Sequence, residues 1–242
     1  MGHPHPKIVC HRGVKTFAPE NTPLAIDLAI GLGFNIVEID VRQTKDGVPV
    51  VLHDSSANRT TDGSGEIKEM NYADVCKLDA GSWFNPFFAG ESVPRLEDVL
   101  AHVKGYLEVY LEIKEAEPEI LLELVQRFDM IRDCFFWCKD IKVMDKLRLL
   151  NKNVRLMARC YDFPTLKDVI ERHNPQVIEF DGLKFTNKEL KHCKELGILS
   201  MPYYTGSKLS VLKKLIDSGA DILNLGNPKL IEKIIIDEGK ND

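Results

Sequence analysis

The sequence predicts an α/β protein of the (β/α)8 barrel class, with a small insertion after the second barrel strand. Three observations carry this. Short apolar runs alternate with helical patterns from end to end, eight of each. The chain has 242 residues, a length that suits one such barrel. No Gly-x-Gly-x-x-Gly follows the first run, which sets aside an open doubly wound sheet.

The expected strands are Lys7–Cys10, Asn35–Val41, Tyr106–Ile113, Cys134–Trp137, Val154–Ala158, Val177–Glu179, Ile198–Pro202 and Asp221–Leu225. The helices between them are Thr22–Gly33, with Pro23 suited to a first turn, then Leu96–Val103, Glu117–Phe128, Ile141–Leu150, Pro164–His173, Asn187–Leu196 and Lys208–Ser218. Lys229–Ile236 closes the chain. Val48–Leu52 is a ninth extended run, too close to the second strand for a parallel crossover. The turn signal at Thr44–Gly47 makes it an antiparallel hairpin instead. Residues 55–93 break the rhythm with turn residues and aromatics. They are read as an inserted rim subdomain within a single catalytic domain, 1–242. Two roles stay open for them: a packed loop, or a lid that shapes the substrate mouth.

Composition narrows the function. A hydrophobic content of 44% supplies a large core, and a formal net charge of -5 gives no basic stripe for nucleic acid. No apolar run is long enough for membrane insertion, and no apolar leader precedes the first strand. The six cysteines, at 10, 76, 134, 138, 160 and 193 with several of them in apolar runs, read as reduced thiols of a cytoplasmic protein. A homo-oligomer is a base-rate expectation only.

Charged residues on strands point to the chemistry. Glu38 and Asp40 face the same way from the second strand, and Glu112 adds a third carboxylate from the next. Buried like charges are costly unless a cation lies among them. Oxygen donors suit Mg²⁺ or Ca²⁺ rather than zinc; a cluster salt-bridged to Arg12 and Lys114 is the competing reading. His11 and His53 both stand at expected strand ends, on the face where barrel sites are assembled. Two imidazoles can divide proton removal and proton donation, with Asp54 orienting a ring or capping a turn. Arg12 and Lys114 are suited to offset phosphoryl charge. His3 and His5 lie in a proline-broken tail and read as incidental.

The sequence resembles the glycerophosphodiester phosphodiesterase family. The resemblance rests on HRG at 11–13, APENT at 18–22, EIDVRQTKDGVPVVLHD at 38–54, RTTDGSG at 59–65, LDAGSWF at 78–84, VPRLEDVL at 93–100 and LEIK at 111–114. It implies a TIM barrel with a small insertion after its second strand. It also implies divalent-cation binding by Glu38, Asp40 and Glu112, acid–base catalysis by His11 and His53, and phosphate binding by Arg12 and Lys114. The implied reaction is hydrolysis of a small glycerophosphodiester to glycerol 3-phosphate and an alcohol, through a cyclic phosphate.

The second half departs from the family pattern, with MPYYTG at 201–206 and ADILNLGNP at 220–228. Trp83 and Tyr203 are expected to line the alcohol side, with Tyr204, Glu179 and Phe180 as further wall candidates. Alternatives are a sugar- or opine-linked phosphodiester, a lysophospholipase D-like lipid substrate, or a ligand-binding barrel without catalysis.

Overall fold

The computed structural model describes residues 5–228 and 230. His3 and, apart from Leu230, the expected closing helix Lys229–Ile236 lie outside them. In chain order the elements are β1 (Lys7–His11), α1 (Pro23–Gly31), β2 (Ile36–Gln43), β3 (Pro49–Val51), α2 (Tyr72–Val75), α3 (Leu96–Val103), β4 (Glu108–Glu115), α4 (Pro118–Arg127), β5 (Cys134–Cys138), α5 (Ile141–Leu150), β6 (Met157–Arg159), α6 (Leu166–His173), β7 (Val177–Asp181), α7 (Asn187–Glu195), β8 (Leu199–Tyr204), α8 (Leu209–Ile216) and β9 (Ile222–Leu225). The eight parallel strands and their helices establish the (β/α)8 class.

The chain divides into two compact units, Arg12–Arg155 and Met1–His11 with Leu156–Asp242. In the first, β2 pairs in parallel with β4, with Asp40 opposite Glu112, and β4 pairs in parallel with β5. β3 pairs antiparallel with β2, Val41 opposite Val51, so the ninth run is the expected hairpin. Its turn closes where Thr44 N–H donates to Val48 O at 3.0 Å, and Gly47 takes φ 85°. Val37, Ile39, Val109, Leu111, Phe135 and Phe136 are fully buried. Strands covered on both faces read as nearly continuous apolar runs, which is why Glu38 and Asp40 stand out.

The 55–93 excursion has a small core that it shares with the β3 hairpin, Val50 included. Leu52, Ala57, Ile67, Val75, Ala80 and Val93 pack there, with Met70, Tyr72 and Leu78 against them. Asp79 fastens its tip, accepting hydrogen bonds from the backbone of Gly81 and Ser82 at 2.8 Å and of Gly90 at 3.0 Å.

In the other unit β1 pairs with β9, and β9, β8, β7 and β6 follow in parallel. β6 begins at Met157, three residues later than the apolar run suggests. Leu156 N–H goes to the Gln176 side chain at 3.0 Å, so the ladder starts beyond it. α7 opens on a capping box, Thr186 and Glu189 satisfying each other's backbone N–H.

Candidate active site

Glu38 and Asp40 of β2 and Glu112 of β4 come together within the strands, Asp40 directly opposite Glu112. Each offers an oxygen within 4.8 Å of the others, and all three are buried. Burial first, then the charges of Asp40 and Glu112, push the Glu38 carboxyl well above its ordinary value; Arg12 opposes this. Three buried carboxylates this close together could hold a divalent cation, which would relieve that conflict.

Two cations of the chain already lean on them. Arg12 Nε lies 3.2 Å from Asp40 Oδ2, and Lys114 Nζ lies 3.2 Å from Asp40 Oδ1 and pairs also with Glu112. Against three carboxylates these two leave negative charge over, and the donors are all oxygen. The residues therefore fit a hard divalent ion, and the salt-bridged arrangement coexists with that fit.

Local backbone sets these contacts. Arg12 and Gly13 follow β1 with φ 60° and 76°, a left-handed pair that turns the Arg12 N–H onto Glu38 Oε2 at 2.8 Å. A Cβ on Gly13 would stand 2.7 Å from Ala25 Cβ, so only glycine lets this turn touch α1. Asn21 is also left-handed, at φ 59°, a conformation asparagine tolerates. Its Nδ2 donates to Asp40 Oδ2 at 2.8 Å, and the next residue, Thr22, caps α1. Burial pulls the Arg12 pKa down, but Asp40, Glu20 and Glu38 outweigh it and hold it raised.

His53 follows β3. Its Nδ1 is 2.6 Å from Asp54 Oδ1, so Asp54 orients the ring. Asp54 is held by Arg59, whose Nη2 also reaches Glu20 Oε1 at 2.7 Å; Glu20 Oε1 in turn accepts from Arg12 Nη1 at 2.9 Å. Glu20 and Asn21 lie in the APENT stretch and Arg59 opens RTTDGSG, but the sequence alone gives none of them a role. Their partners are distant in sequence and follow no period.

In the other unit His11 ends β1, and the Tyr203 ring meets it edge-on at a 6.1 Å centroid distance. Glu179, buried on β7, accepts from Tyr161 Oη at 2.5 Å and from Asn224 Nδ2 at 2.9 Å, and lies 3.2 Å from Arg159 Nε. Asn224 is thus a donor to a buried carboxylate. Trp83 belongs to the aromatic group of the excursion: its ring meets Phe84 at 5.7 Å, and its N–H donates to Ala80 O at 2.8 Å. Cys10 is a core thiol whose pKa burial pushes far above its ordinary value, unsuited to nucleophilic work.

Fold and site together define a (β/α)8 protein with three buried carboxylates close enough to share a metal ion. The model of the glycerophosphoryl diester phosphodiesterase family matches residues 11–160, and the chain belongs to that family. Among curated relatives, a putative glycerophosphodiester phosphodiesterase of Bacillus subtilis is 42% identical over 116 residues, 48% of each chain. The chain thus spans about half the length of that relative. An uncharacterized protein of the same organism is 30% identical over 233 residues, 89% of this chain and 92% of its own. The solved structure of a glycerophosphodiester phosphodiesterase from Agrobacterium tumefaciens is 34% identical, with a TM-score of 0.89 over 93% of this chain and 98% of that one. A phosphodiesterase of Oleispira antarctica, solved with the product sn-glycerol-3-phosphate, is 26% identical, with a TM-score of 0.84 over 96% of this chain and 97% of that one.

Proposed function

We propose that the protein is a metal-dependent phosphodiesterase that hydrolyses small glycerophosphodiesters to glycerol 3-phosphate and an alcohol. The observation that carries this is the buried group of Glu38, Asp40 and Glu112 with Arg12 and Lys114 against it. The three carboxylates hold the cation, Mg²⁺ or Ca²⁺. When bound, that ion supplies a positive centre for the phosphoryl oxygens and lowers the cost of charge build-up.

Arg12 and Lys114 bind the phosphate, Arg12 with its fork and Lys114 as a point charge. His11 takes the proton of the glycerol hydroxyl next to the ester, and that oxygen attacks phosphorus. The bond from phosphorus to the alcohol oxygen breaks, and His53 protonates the departing alkoxide. Water then opens the cyclic phosphate with the histidine roles exchanged. Trp83 and Tyr203 are the candidate contacts of the alcohol, which is a small polyol in this reading and a sugar or a lipid in the alternatives.

The site takes a small molecule rather than nucleic acid. Among the described residues no helix is long and apolar enough to cross a membrane. The cysteines at 10, 76, 134, 138, 160 and 193 are free thiols, which supports a reducing, cytoplasmic setting.

A substrate panel tests the reading. Glycerophosphoglycerol, glycerophosphocholine, a sugar phosphodiester and a lysophospholipid are offered with Mg²⁺ or Ca²⁺. Turnover of the glycerol esters is expected, and its loss when the neighbouring hydroxyl is replaced by hydrogen. Equal hydrolysis of that deoxy analogue would exclude internal attack; inertness toward the whole panel would leave a binding barrel.

A further inference from the structure

We infer that Arg59 is the positioning residue of the proton donor: it clamps Asp54 against the His53 ring and ties that pair, through Glu20, to Arg12. The inference rests on the phosphodiesterase reading and adds residues to it.

The geometry is a chain of shared oxygens. Arg59 Nε donates to Asp54 Oδ2 at 2.7 Å and Nη2 to Asp54 Oδ1 at 2.9 Å, a two-toothed grip on one carboxylate. The same Nη2 donates to Glu20 Oε1 at 2.7 Å, and Arg12 Nη1 reaches that oxygen from the other side at 2.9 Å. Asp54 Oδ1, held this way, lies 2.6 Å from His53 Nδ1. Hydrogen bonding from Arg59, opposed by burial and helped by His53, keeps the Asp54 carboxyl below its ordinary range. An ionised Asp54 accepts only, so Nδ1 carries the hydrogen of that contact and Nε2 is left to work on substrate.

The step that follows is closed. His53 Nε2–H gives its proton to the alcohol oxygen as the phosphorus–oxygen bond breaks. That oxygen keeps the bonding pair, and Nε2 is left with its lone pair. A tilt of the ring moves Nε2 off the line of transfer, and a misplacement of about 1 Å costs on the order of a hundredfold.

A stabilising role accounts for Arg59 poorly. Its side chain is 42% exposed, and an exposed ion pair contributes about 1 kcal/mol or less. A single exposed pair also has no need of two carboxylates from separate stretches. The arrangement instead fixes a direction. Arg59 comes from the start of the 55–93 excursion, so this segment enters the chemistry by orienting the histidine beside it.

The leaving group provides the test. An alkyl alcohol such as glycerol departs only with a proton, whereas p-nitrophenol departs without one. With the full chain and Mg²⁺, Arg59→Ala is expected to lower kcat for glycerophosphoglycerol by about ten- to a hundredfold. KM and the rate on the p-nitrophenyl ester of glycerol phosphate should stay within about threefold. Arg59→Lys keeps the charge but not the fork and is expected to fall between, and in an Asp54→Asn background Arg59→Ala adds little. Equal slowing of both diesters, or an unchanged ratio in Arg59→Lys, overturns the inference while the wild-type activity stands. A folded wild-type chain inert toward both diesters overturns the phosphodiesterase reading and this inference with it.

Discussion

At the residue scale, the carboxylates were legible because each breaks a buried strand. Glu38 and Asp40 interrupt IVEIDV, and nothing but a charge-bearing site explains acids there. The residues that hold them were not legible. Asn21 reaches Asp40 from a left-handed turn, and a φ of 59° leaves no periodic trace in sequence. Arg12 shows the same limit: its charge was foreseen, but the use of its backbone N–H on Glu38 depends on that turn. Asn21→Ala removes a buried hydrogen bond to a carboxylate and a residue suited to positive φ. It is expected to cost about 1.5–3 kcal/mol in a denaturant titration without added cation. A change below about 0.5 kcal/mol, the size of an ordinary surface substitution, would mean that Asp40 does not depend on it.

At the scale of elements, strands and helices were foreseen to within a few residues because their periodicity reflects burial. The exceptions have local causes, as where the Gln176 side chain takes the Leu156 N–H and delays β6. The excursion carried no period, so its small core and the role of Asp79 came only from the structure. Backbone N–H groups of Ser82, Gly90 and Gly81 and the Ser82 hydroxyl lower the Asp79 pKa from its ordinary 3.8, with a slight opposing effect of burial. A depressed carboxyl stabilises the fold above its unfolded value and loses that contribution as pH falls through the folded one. The stability gap between wild type and Asp79→Asn should therefore be constant above about pH 5 and close steadily below the ordinary carboxylate range. Thermal melts across pH measure it, and a gap that widens in acid would contradict the assignment. Hydrogen exchange at Gly81, Ser82 and Gly90 should also quicken in the variant at neutral pH.

For the molecule as a whole, the family match ends at residue 160, close to where the first unit ends at Arg155. The carboxylates, the cations and the oriented histidine all belong to that stretch. The remainder was legible as barrel rhythm but not as specificity, because Glu179, Asn224 and Tyr161 satisfy one another in a pattern that the strands alone do not announce. A cation that binds the folded site alone must raise the melting temperature of the entire chain. At a hundredfold excess over its Kd the gain is about 2.7 kcal/mol, or roughly 5–10 °C for a chain of this size. The double variant Glu38→Ala, Asp40→Ala should melt at one temperature with or without Mg²⁺ or Ca²⁺. A wild-type melt indifferent to both ions would remove the basis for the cation site.

The miniature core beneath residues 55–93 binds that segment to the hairpin before it. Val75, Ala80 and Ile67 share one cluster with Val50 and Leu52, so a transplant brings its whole interior along only when the hairpin travels with it. A chimera that exchanges 55–93 without those two side chains leaves a gap in a packed interior, so the natural seam for grafting lies ahead of Val50.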